Sequence, residues 1–114
     1  MTDCVFCRIA SGEIPAKKAY EDEEFLAFHD INPQAPVHLL VIPRRHFNDV
    51  VQAVKEQPEL VARLFAVVSK VAAAQGLLPE GFRTVCNTGP NGGQTVGHLH
   101  VHVLGGRFMG WPPG

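Results

Sequence analysis

The sequence lacks a charge imbalance and a long apolar run. Its 10 lysines and arginines nearly balance 11 aspartates and glutamates, which gives a formal net charge of -1. Such a surface offers no electrostatic attraction to nucleic acid or to an anionic membrane. The most apolar stretch, residues 64–74, is interrupted by Ser69 and Lys70, and the N-terminus shows no basic segment followed by an apolar run. We therefore expect a soluble, cytoplasmic protein without signal peptide, membrane or nucleic-acid partner.

Cysteine is scarce as well, with three in 114 residues. That number is too small for a disulfide framework and fits a reducing compartment. Cys4 and Cys7 form a C-x-x-C pair, which is half of a common zinc site, but two ligands leave a tetrahedral ion incomplete. Two interpretations stay open, a metal site completed from elsewhere and a pair of ordinary buried thiols. Cys86 is predicted to be a core residue.

No repeat, low-complexity segment or linker divides the chain, so residues 1–114 are predicted to form a single domain. Hydrophobic residues make up 46% of the sequence and charged residues 18%, which is a globular rather than a disordered composition. A chain of this length buries one core but leaves much of its surface exposed, and a partner subunit would relieve that exposure.

Hydrophobic periodicity predicts strands on both sides of one long helix. The helix lies between Pro58 and Gly76, with proline in its first turn and glycine after its last. A short helical turn is predicted at residues 4–10, and strands are predicted at residues 19–21, 25–28, 37–42, 82–86 and 98–104. This order indicates an α+β domain with one mainly antiparallel sheet that carries its principal helix on one face.

Three histidines occupy alternate positions in the last predicted strand: His98, His100 and His102. Alternate side chains share a face, so the histidines line one side while the apolar residues between them can pack under the helix. Adjacent imidazoles repel one another when protonated, so we expect neutral rings ordered by hydrogen bonds or bound to an anion or metal. A neutral ring that donates one N–H to a carbonyl keeps a lone pair that can attack phosphorus. From spacing alone, a solvated strand face or a metal-binding strip fits as well.

The loop before these histidines is rich in glycine. Residues 91–95 read Asn-Gly-Gly-Gln-Thr, and such a loop can turn backbone N–H groups toward an anion. By itself this signal is weak, since Asn-Gly-Gly is commonly just a turn. Joined to the histidine strand, the loop is predicted to place oxyanion donors near a histidine nucleophile.

Three longer segments of the sequence resemble one known protein family. The run "HLHVHV" after "GGQTVG", with "AFHDINPQAPVHLLVIPRRH" and the closing "LGGRFMGWPPG", resembles the histidine-triad (HIT) proteins, specifically their Hint branch. The resemblance extends from Cys4 to Gly114. It implies a HIT-like fold with a mainly antiparallel five-stranded sheet, one long helix and a short N-terminal helix. It also implies a homodimer in which the sheet continues across a two-fold axis.

The same resemblance implies a purine nucleoside phosphoramidase. The middle histidine, His100, would attack the α-phosphorus of an adenosine or guanosine phosphoramidate, and water would hydrolyse the nucleotidyl-histidine to AMP or GMP. His102 would contact the phosphate and help to protonate the departing amine, which needs that proton to leave. His38 would support the triad, of which His98 is the first member. Without the resemblance, His38 would be interpreted as a core histidine satisfied by the backbone.

Substrate-binding roles are implied for seven positions. Asp30 would accept hydrogen bonds from the ribose hydroxyls and Ile31 would contact the base, although on sequence alone Asp30 is typical of an Asx turn. Trp111 in the apolar tail would reach the neighbouring subunit's site, although it also fits an anchor on its own subunit. The phosphate-side contacts would come from Asn87, Gly93, Gln94 and Thr95. Thr95 stands where many relatives have serine, and its methyl group restricts its rotamers.

The resemblance also implies two further ligands for a zinc ion at the cysteine pair. His46 and His98 match the histidines that join Cys4 and Cys7 in many bacterial members, which implies a closed, structural zinc site and no organic cofactor. The alternative places His46 at the surface and leaves the cysteines as buried thiols.

Three other functions fit the same residues. The same nucleophile would serve a dinucleoside polyphosphate hydrolase. A nucleotide-sensing scaffold would bind nucleotide with incidental turnover. A metal store would bind several zinc ions on the histidines.

Overall fold

The computed structural model describes residues 3–114, in which three helices and five strands follow one another along the chain. The elements are α1 Val5–Ala10, β1 Lys18–Glu21, β2 Phe25–His29, β3 Val37–Pro43, α2 Val50–Glu56, α3 Pro58–Ala74, β4 Phe82–Val85 and β5 Val101–Gly105. None of the helices in this range has the length and hydropathy needed to cross a bilayer.

The five strands form one antiparallel sheet in the order β1-β2-β3-β5-β4. The central strand β3 pairs with β2 on one side and with β5 on the other, so that His38 lies opposite Leu104 and Leu40 opposite His102. This arrangement confirms the predicted α+β fold with a five-stranded antiparallel sheet, one long helix and a short N-terminal helix.

Each face of the sheet packs against a different helix. The side chains of Leu39 and Val41 on β3 join the core under α3, together with the apolar residues between the triad histidines. On the opposite face, Leu40 and Ile42 pack with Phe6 of α1. Because successive strand residues alternate between the two faces, the triad histidines lie on the α1 side.

The structure differs from the sequence prediction at three places. Helix α2 was not predicted; Asp49 caps it by accepting a hydrogen bond from the Gln52 N–H at 2.9 Å. Strand β5 begins at Val101 rather than at residue 98, because the Leu99 N–H donates to the Phe47 carbonyl outside the sheet. The prediction that Cys86 is a core residue is wrong, because it follows the edge strand β4 and is exposed.

Leu64 is expected to be a main contributor to stability, because its side chain in α3 is fully buried in the core under the sheet. Leu64→Ala should lower the free energy of unfolding by about 2–5 kcal/mol, measured by urea unfolding. Leu78→Ala is the matched control, since Leu78 is 54% exposed and its truncation should cost less than about 0.5 kcal/mol. Equal losses in the two variants would contradict this account of the core.

Candidate active site

His100 is oriented by a main-chain carbonyl. Its Nδ1 lies 2.7 Å from the carbonyl oxygen of His98. A carbonyl only accepts, so Nδ1 carries the proton in this hydrogen bond and Nε2 of the neutral ring keeps its lone pair. His100 is 5% exposed and lines a cavity, and the edge of Phe6 packs against its ring at a centroid distance of 5.2 Å. The geometry therefore presents a fixed lone pair to the cavity.

His102 and His38 form a hydrogen-bonded pair beside it. Nε2 of His38 lies 2.9 Å from Nδ1 of His102, and the carboxylate of Asp30 lies 3.4 Å from the same Nε2. Burial lowers the pKa of His38, although the charge of Asp30 opposes the shift. Burial, together with the charges of His100 and His38, lowers the pKa of His102 to about 4. Both rings are therefore neutral at neutral pH.

The cavity in front of these rings has a volume of about 530 Å³. His100 and His102 lie in its wall, and so do Asp30 and Ile31; the Ile31 side chain is fully exposed. Oδ1 of Asp30 accepts the N–H of Asn32 at 2.8 Å, which is the Asx turn that the sequence alone suggested. The rest of the wall includes Lys17, His29 and Thr95 but is mostly apolar, with side chains from Val5, Phe6, Ile9, Ile14, Pro15, Ala16, Phe28, Leu40 and Val96. A cavity of this size, apolar with a few polar groups, is typical of a small-molecule site.

The glycine-rich loop uses most of its polar groups internally. The N–H groups of Gly93 and Gln94 donate to carbonyls of the same loop, and the side chain of Asn87 donates to the Gly92 carbonyl at 2.6 Å. The side-chain amide of Gln94 donates to the carbonyls of Asn48 and Val96. Among the four positions with implied phosphate contacts, Thr95 is the one that lines the cavity.

Trp111 lies away from this cavity in its own chain. Its side chain is 83% exposed, and it lines a separate depression beside β4 with Arg83 and Leu104. The Arg83 guanidinium donates to the carbonyls of Met109 and Gly110, which ties the tail to the sheet edge.

A second cluster lies next to the triad and brings together Cys4, Cys7, His46 and His98. Nδ1 of His98 lies 3.3 Å from Sγ of Cys4 and 3.5 Å from Sγ of Cys7. Nδ1 of His46 lies 3.3 Å from Sγ of Cys7 and 3.2 Å from Nδ1 of His98. Tetrahedral zinc with ordinary bond lengths needs ligand separations of about 3.3–3.8 Å, so these four distances are close to those around such an ion.

The hydrogen bonds behind the cluster point to the same conclusion. Nε2 of His98 lies 2.8 Å from the Pro43 carbonyl, and Nε2 of His46 lies 2.9 Å from Oδ1 of Asn48. Because oxygen acceptors hold the Nε2–H groups, both Nδ1 lone pairs are directed at one point between the two sulfurs. Burial lowers the pKa of His98 to about 4, which keeps its ring in the neutral form that metals bind. The donor set therefore fits a zinc ion.

The chain is similar to known proteins over nearly all of its length. A model of the HIT domain matches residues 11–109, and an uncharacterised HIT-like protein from Synechococcus elongatus is 53% identical over 112 residues, or 98% of this chain and 97% of that protein. The chain belongs to the HIT family. A HIT family hydrolase from Legionella pneumophila has a TM-score of 0.94 and 49% identity, covering 98% of this chain and all of that one. A histidine triad protein from Clostridium difficile has a TM-score of 0.93 and 43% identity, with 96% of both chains covered.

The apolar wall of the cavity was not predicted from the sequence. Phe6 and Ile9 lie three residues apart on α1, so they share a helix face, and both line the cavity. Their spacing is visible in the sequence, but it does not show that this face of a six-residue helix covers a binding site. Assignment to the Hint branch stays a prediction.

Acidification is expected to weaken the fold through His102, whose pKa falls from the usual 6.5 to about 4 on burial. Between these values the unfolded chain binds a proton that the folded chain does not, so the free energy of unfolding decreases as the pH falls through this window. In urea unfolding measured from pH 7 to 4, the free energy of unfolding should change less steeply with pH in His102→Asn than in the wild type. The difference in slope should correspond to the uptake of up to about one proton. Equal slopes in the two proteins would show that His102 titrates normally in the folded state.

Proposed function

We propose that the chain hydrolyses purine nucleoside phosphoramidates, with His100 as the nucleophile. The observation that carries the proposal is the hydrogen bond from Nδ1 of His100 to the His98 carbonyl, because it leaves the Nε2 lone pair available in a ring that lines the cavity. The Legionella pneumophila relative, described as a HIT family hydrolase, supports hydrolysis as the reaction class. The choice of a phosphoramidate follows from the resemblance to the Hint branch.

The proposed reaction has two steps. Nε2 of His100 attacks the α-phosphorus, a bond from histidine nitrogen to phosphorus forms, and the bond from phosphorus to the amine breaks. The amine leaves as a neutral molecule because it receives a proton from His102, whose ring lies beside His100 at a centroid distance of 5.0 Å. Water then attacks the nucleotidyl-histidine and gives a proton back to His102, the bond from phosphorus to Nε2 of His100 breaks, and the nucleoside monophosphate is released with both imidazoles regenerated.

The substrate groups are assigned to opposite parts of the cavity. Asp30 would accept the ribose hydroxyls with its carboxylate, while Ile31 and the apolar wall near α1 would contact the purine. The Thr95 hydroxyl would contact the phosphate. Asn87, Gly93 and Gln94 would act on the phosphate side by shaping the loop that carries Thr95, since their polar groups are engaged within it or on its neighbours.

Replacing the nucleophile tests this proposal. His100→Asn should reduce release of AMP from adenosine 5′-phosphoramidate by more than about 10³-fold, because asparagine offers no nucleophilic nitrogen. Binding of AMP, measured by calorimetry, should be largely retained, because the ribose and base contacts are unchanged. Wild-type protein mixed with substrate at low temperature should carry a nucleotidyl group on His100. Retained turnover in the variant would refute the nucleophile, whereas tight AMP binding without turnover in the wild type would favour a nucleotide sensor.

We also propose a structural zinc ion bound by Cys4, Cys7, His46 and His98. The ligand spacing supports it, and so do the two oxygen acceptors behind the histidines, the Pro43 carbonyl and Oδ1 of Asn48. Burial raises the pKa of Cys7 to about 11 in the metal-free chain, so a bound cation is needed to hold this side chain as a thiolate. When bound, the ion would supply crosslinks between α1 and the sheet rather than a reactive centre, because all four positions are taken by protein ligands. A reducing cytoplasm would keep the thiols available.

Metal analysis distinguishes this site from a metal store. Wild-type protein purified from zinc-supplemented medium should contain about one zinc per chain, because a closed site holds a single ion. Cys7→Ser should lose most of the metal and unfold at lower urea concentration. Cys86→Ser is the matched control and should keep the metal, since Cys86 is exposed and outside the cluster. Several equivalents in the wild type would indicate a store, and none would refute the zinc site.

We propose further that two copies associate through the β4 edge. This strand ends the sheet, and an edge strand offers unpaired main-chain groups to a neighbour. Large apolar side chains are exposed on β4 and in the C-terminal tail beside it, since Phe82 is 39%, Phe108 91% and Trp111 83% exposed. Pairing β4 with its two-fold copy would continue the sheet and cover these side chains. Trp111 would then contribute to the site of the partner rather than to its own.

A further inference from the structure

Both ring nitrogens of His38 are engaged inside the protein. Nδ1 lies 3.0 Å from the main-chain nitrogen of Gln34, and the ring is 4% exposed. A main-chain N–H donates and never accepts, so Nδ1 of His38 must be the acceptor. The proton of the neutral ring therefore belongs on Nε2.

The surroundings of Nε2 agree with that assignment. The carboxylate of Asp30 at 3.4 Å only accepts when ionised, and Nδ1 of His102 lies at 2.9 Å. A lone pair on Nε2 of His38 would face the negative carboxylate, whereas an N–H donates toward both neighbours. Since Nδ1 of His102 accepts from His38, the proton of His102 belongs on its own Nε2.

We propose that the main-chain N–H of Gln34 is a positioning group that keeps the proton of His102 on Nε2. The effect passes through His38, which is held in its Nε2–H form and donates to Nδ1 of His102. In the site His100 then offers a lone pair and His102 offers a proton, so the two neighbouring rings have opposite roles. Gln34 does not line the cavity and was not singled out from the sequence.

Other contacts hold the Gln34 peptide in place. The Arg107 guanidinium donates two hydrogen bonds to the Gln34 carbonyl, at 3.1 and 3.0 Å. The Gln34 side chain donates to the Asn32 carbonyl at 3.0 Å, and the Asp30 N–H donates to the His38 carbonyl at 2.9 Å. Hydrogen bonds thus hold the loop between β2 and β3 at several points. The N–H of Gln34 therefore points at His38 without help from substrate.

The same geometry argues against a second metal ion. Asp30, His38 and His102 have ligand atoms close enough to share one. A metal on Nε2 of His38 would require the proton to move to Nδ1, where it would meet the N–H of Gln34. This cluster therefore suits proton placement, in contrast to the cysteine cluster, whose histidines have acceptors behind them.

The test replaces one atom. The full chain is prepared with the α-hydroxy analogue of glutamine at position 34, so that an ester oxygen replaces the N–H and the side chain is kept. Nitrogen NMR of labelled histidine rings reports which nitrogen carries the proton. In the wild type, His38 and His102 should both be protonated at Nε2; in the ester protein both should shift toward Nδ1. Unchanged tautomers in a folded ester protein would overturn the proposal.

The proposal's catalytic consequence rests on the proposed phosphoramidase function and is measured separately. The ester should lower kcat for adenosine 5′-phosphoramidate by about 10²-fold, the lower end of general-acid effects, with KM nearly unchanged. The 4-nitrophenyl ester of AMP should be hydrolysed at close to the wild-type rate, because nitrophenolate leaves without a proton. Equal losses on both substrates would show a merely structural role. If wild-type protein cleaves neither substrate, the function fails, while the NMR result still decides the tautomers.

Two encoded variants provide a second route. Gln34→Pro removes the N–H, whereas Gln34→Ala keeps it and loses only the side chain. The alanine variant loses the hydrogen bond to the Asn32 carbonyl but keeps the N–H and the two hydrogen bonds from Arg107 to the carbonyl of residue 34, so it should keep the wild-type tautomers and the wild-type ratio of the two substrate rates. The proline variant should show the shifted tautomers and a preference for the nitrophenyl ester. The opposite pattern, or identical behaviour of both variants, would contradict the assignment to the N–H.

Discussion

The site depends on one packing constraint, the burial of Leu99, Val101 and Val103 under α3. These side chains are essentially inaccessible, and moving the chain by one residue would exchange them with the histidines between them. Such a slip would place imidazoles in the apolar core under α3 and would put three apolar side chains on the α1 side, where the histidines line the cavity and the cysteine cluster. The hydrophobic layer therefore fixes the face on which the triad lies, although it takes no part in the chemistry.

Main-chain groups then select the tautomers of three rings, those of His38, His98 and His100. His98 donates to the Pro43 carbonyl and His100 donates to the carbonyl of His98, while His38 accepts the N–H of Gln34. A carbonyl and an N–H have one possible role each, so they specify protonation more strictly than a hydroxyl or another imidazole does. They are also held by secondary structure and by a tied loop, so little side-chain entropy is lost in aligning them. Backbone geometry thus gives chemically identical side chains different tautomers.

Periodic features could be predicted from the sequence, and features set by single hydrogen bonds could not. The alternation around His100 and the period of α3 repeat over many residues, so they identified the fold and the histidine face. Helix α2 has one fully buried residue, Ala53, and exposes Val51 and Val54. Its sequence therefore lacks the apolar stripe from which a helix is predicted. The donors of Gln94 looked free to bind an anion, but tertiary contacts satisfy them. The part played by the Gln34 peptide depends on a distance that no residue pattern encodes.

Helix α1 joins the cysteine cluster to the face of the sheet that carries His100. Six residues are too few for a stable isolated helix, so α1 depends on what it packs against. Phe6 lies between the two cysteines in sequence, and its ring edge packs against His98 at 5.9 Å and against His100 at 5.2 Å between centroids. The same side chain forms part of the cavity wall. Whatever holds Cys4 and Cys7 against His98 therefore also holds the wall of the site and one side of His100. A change at the cysteine cluster therefore has two routes to the cavity, one through Phe6 and the other through His98, whose carbonyl orients His100.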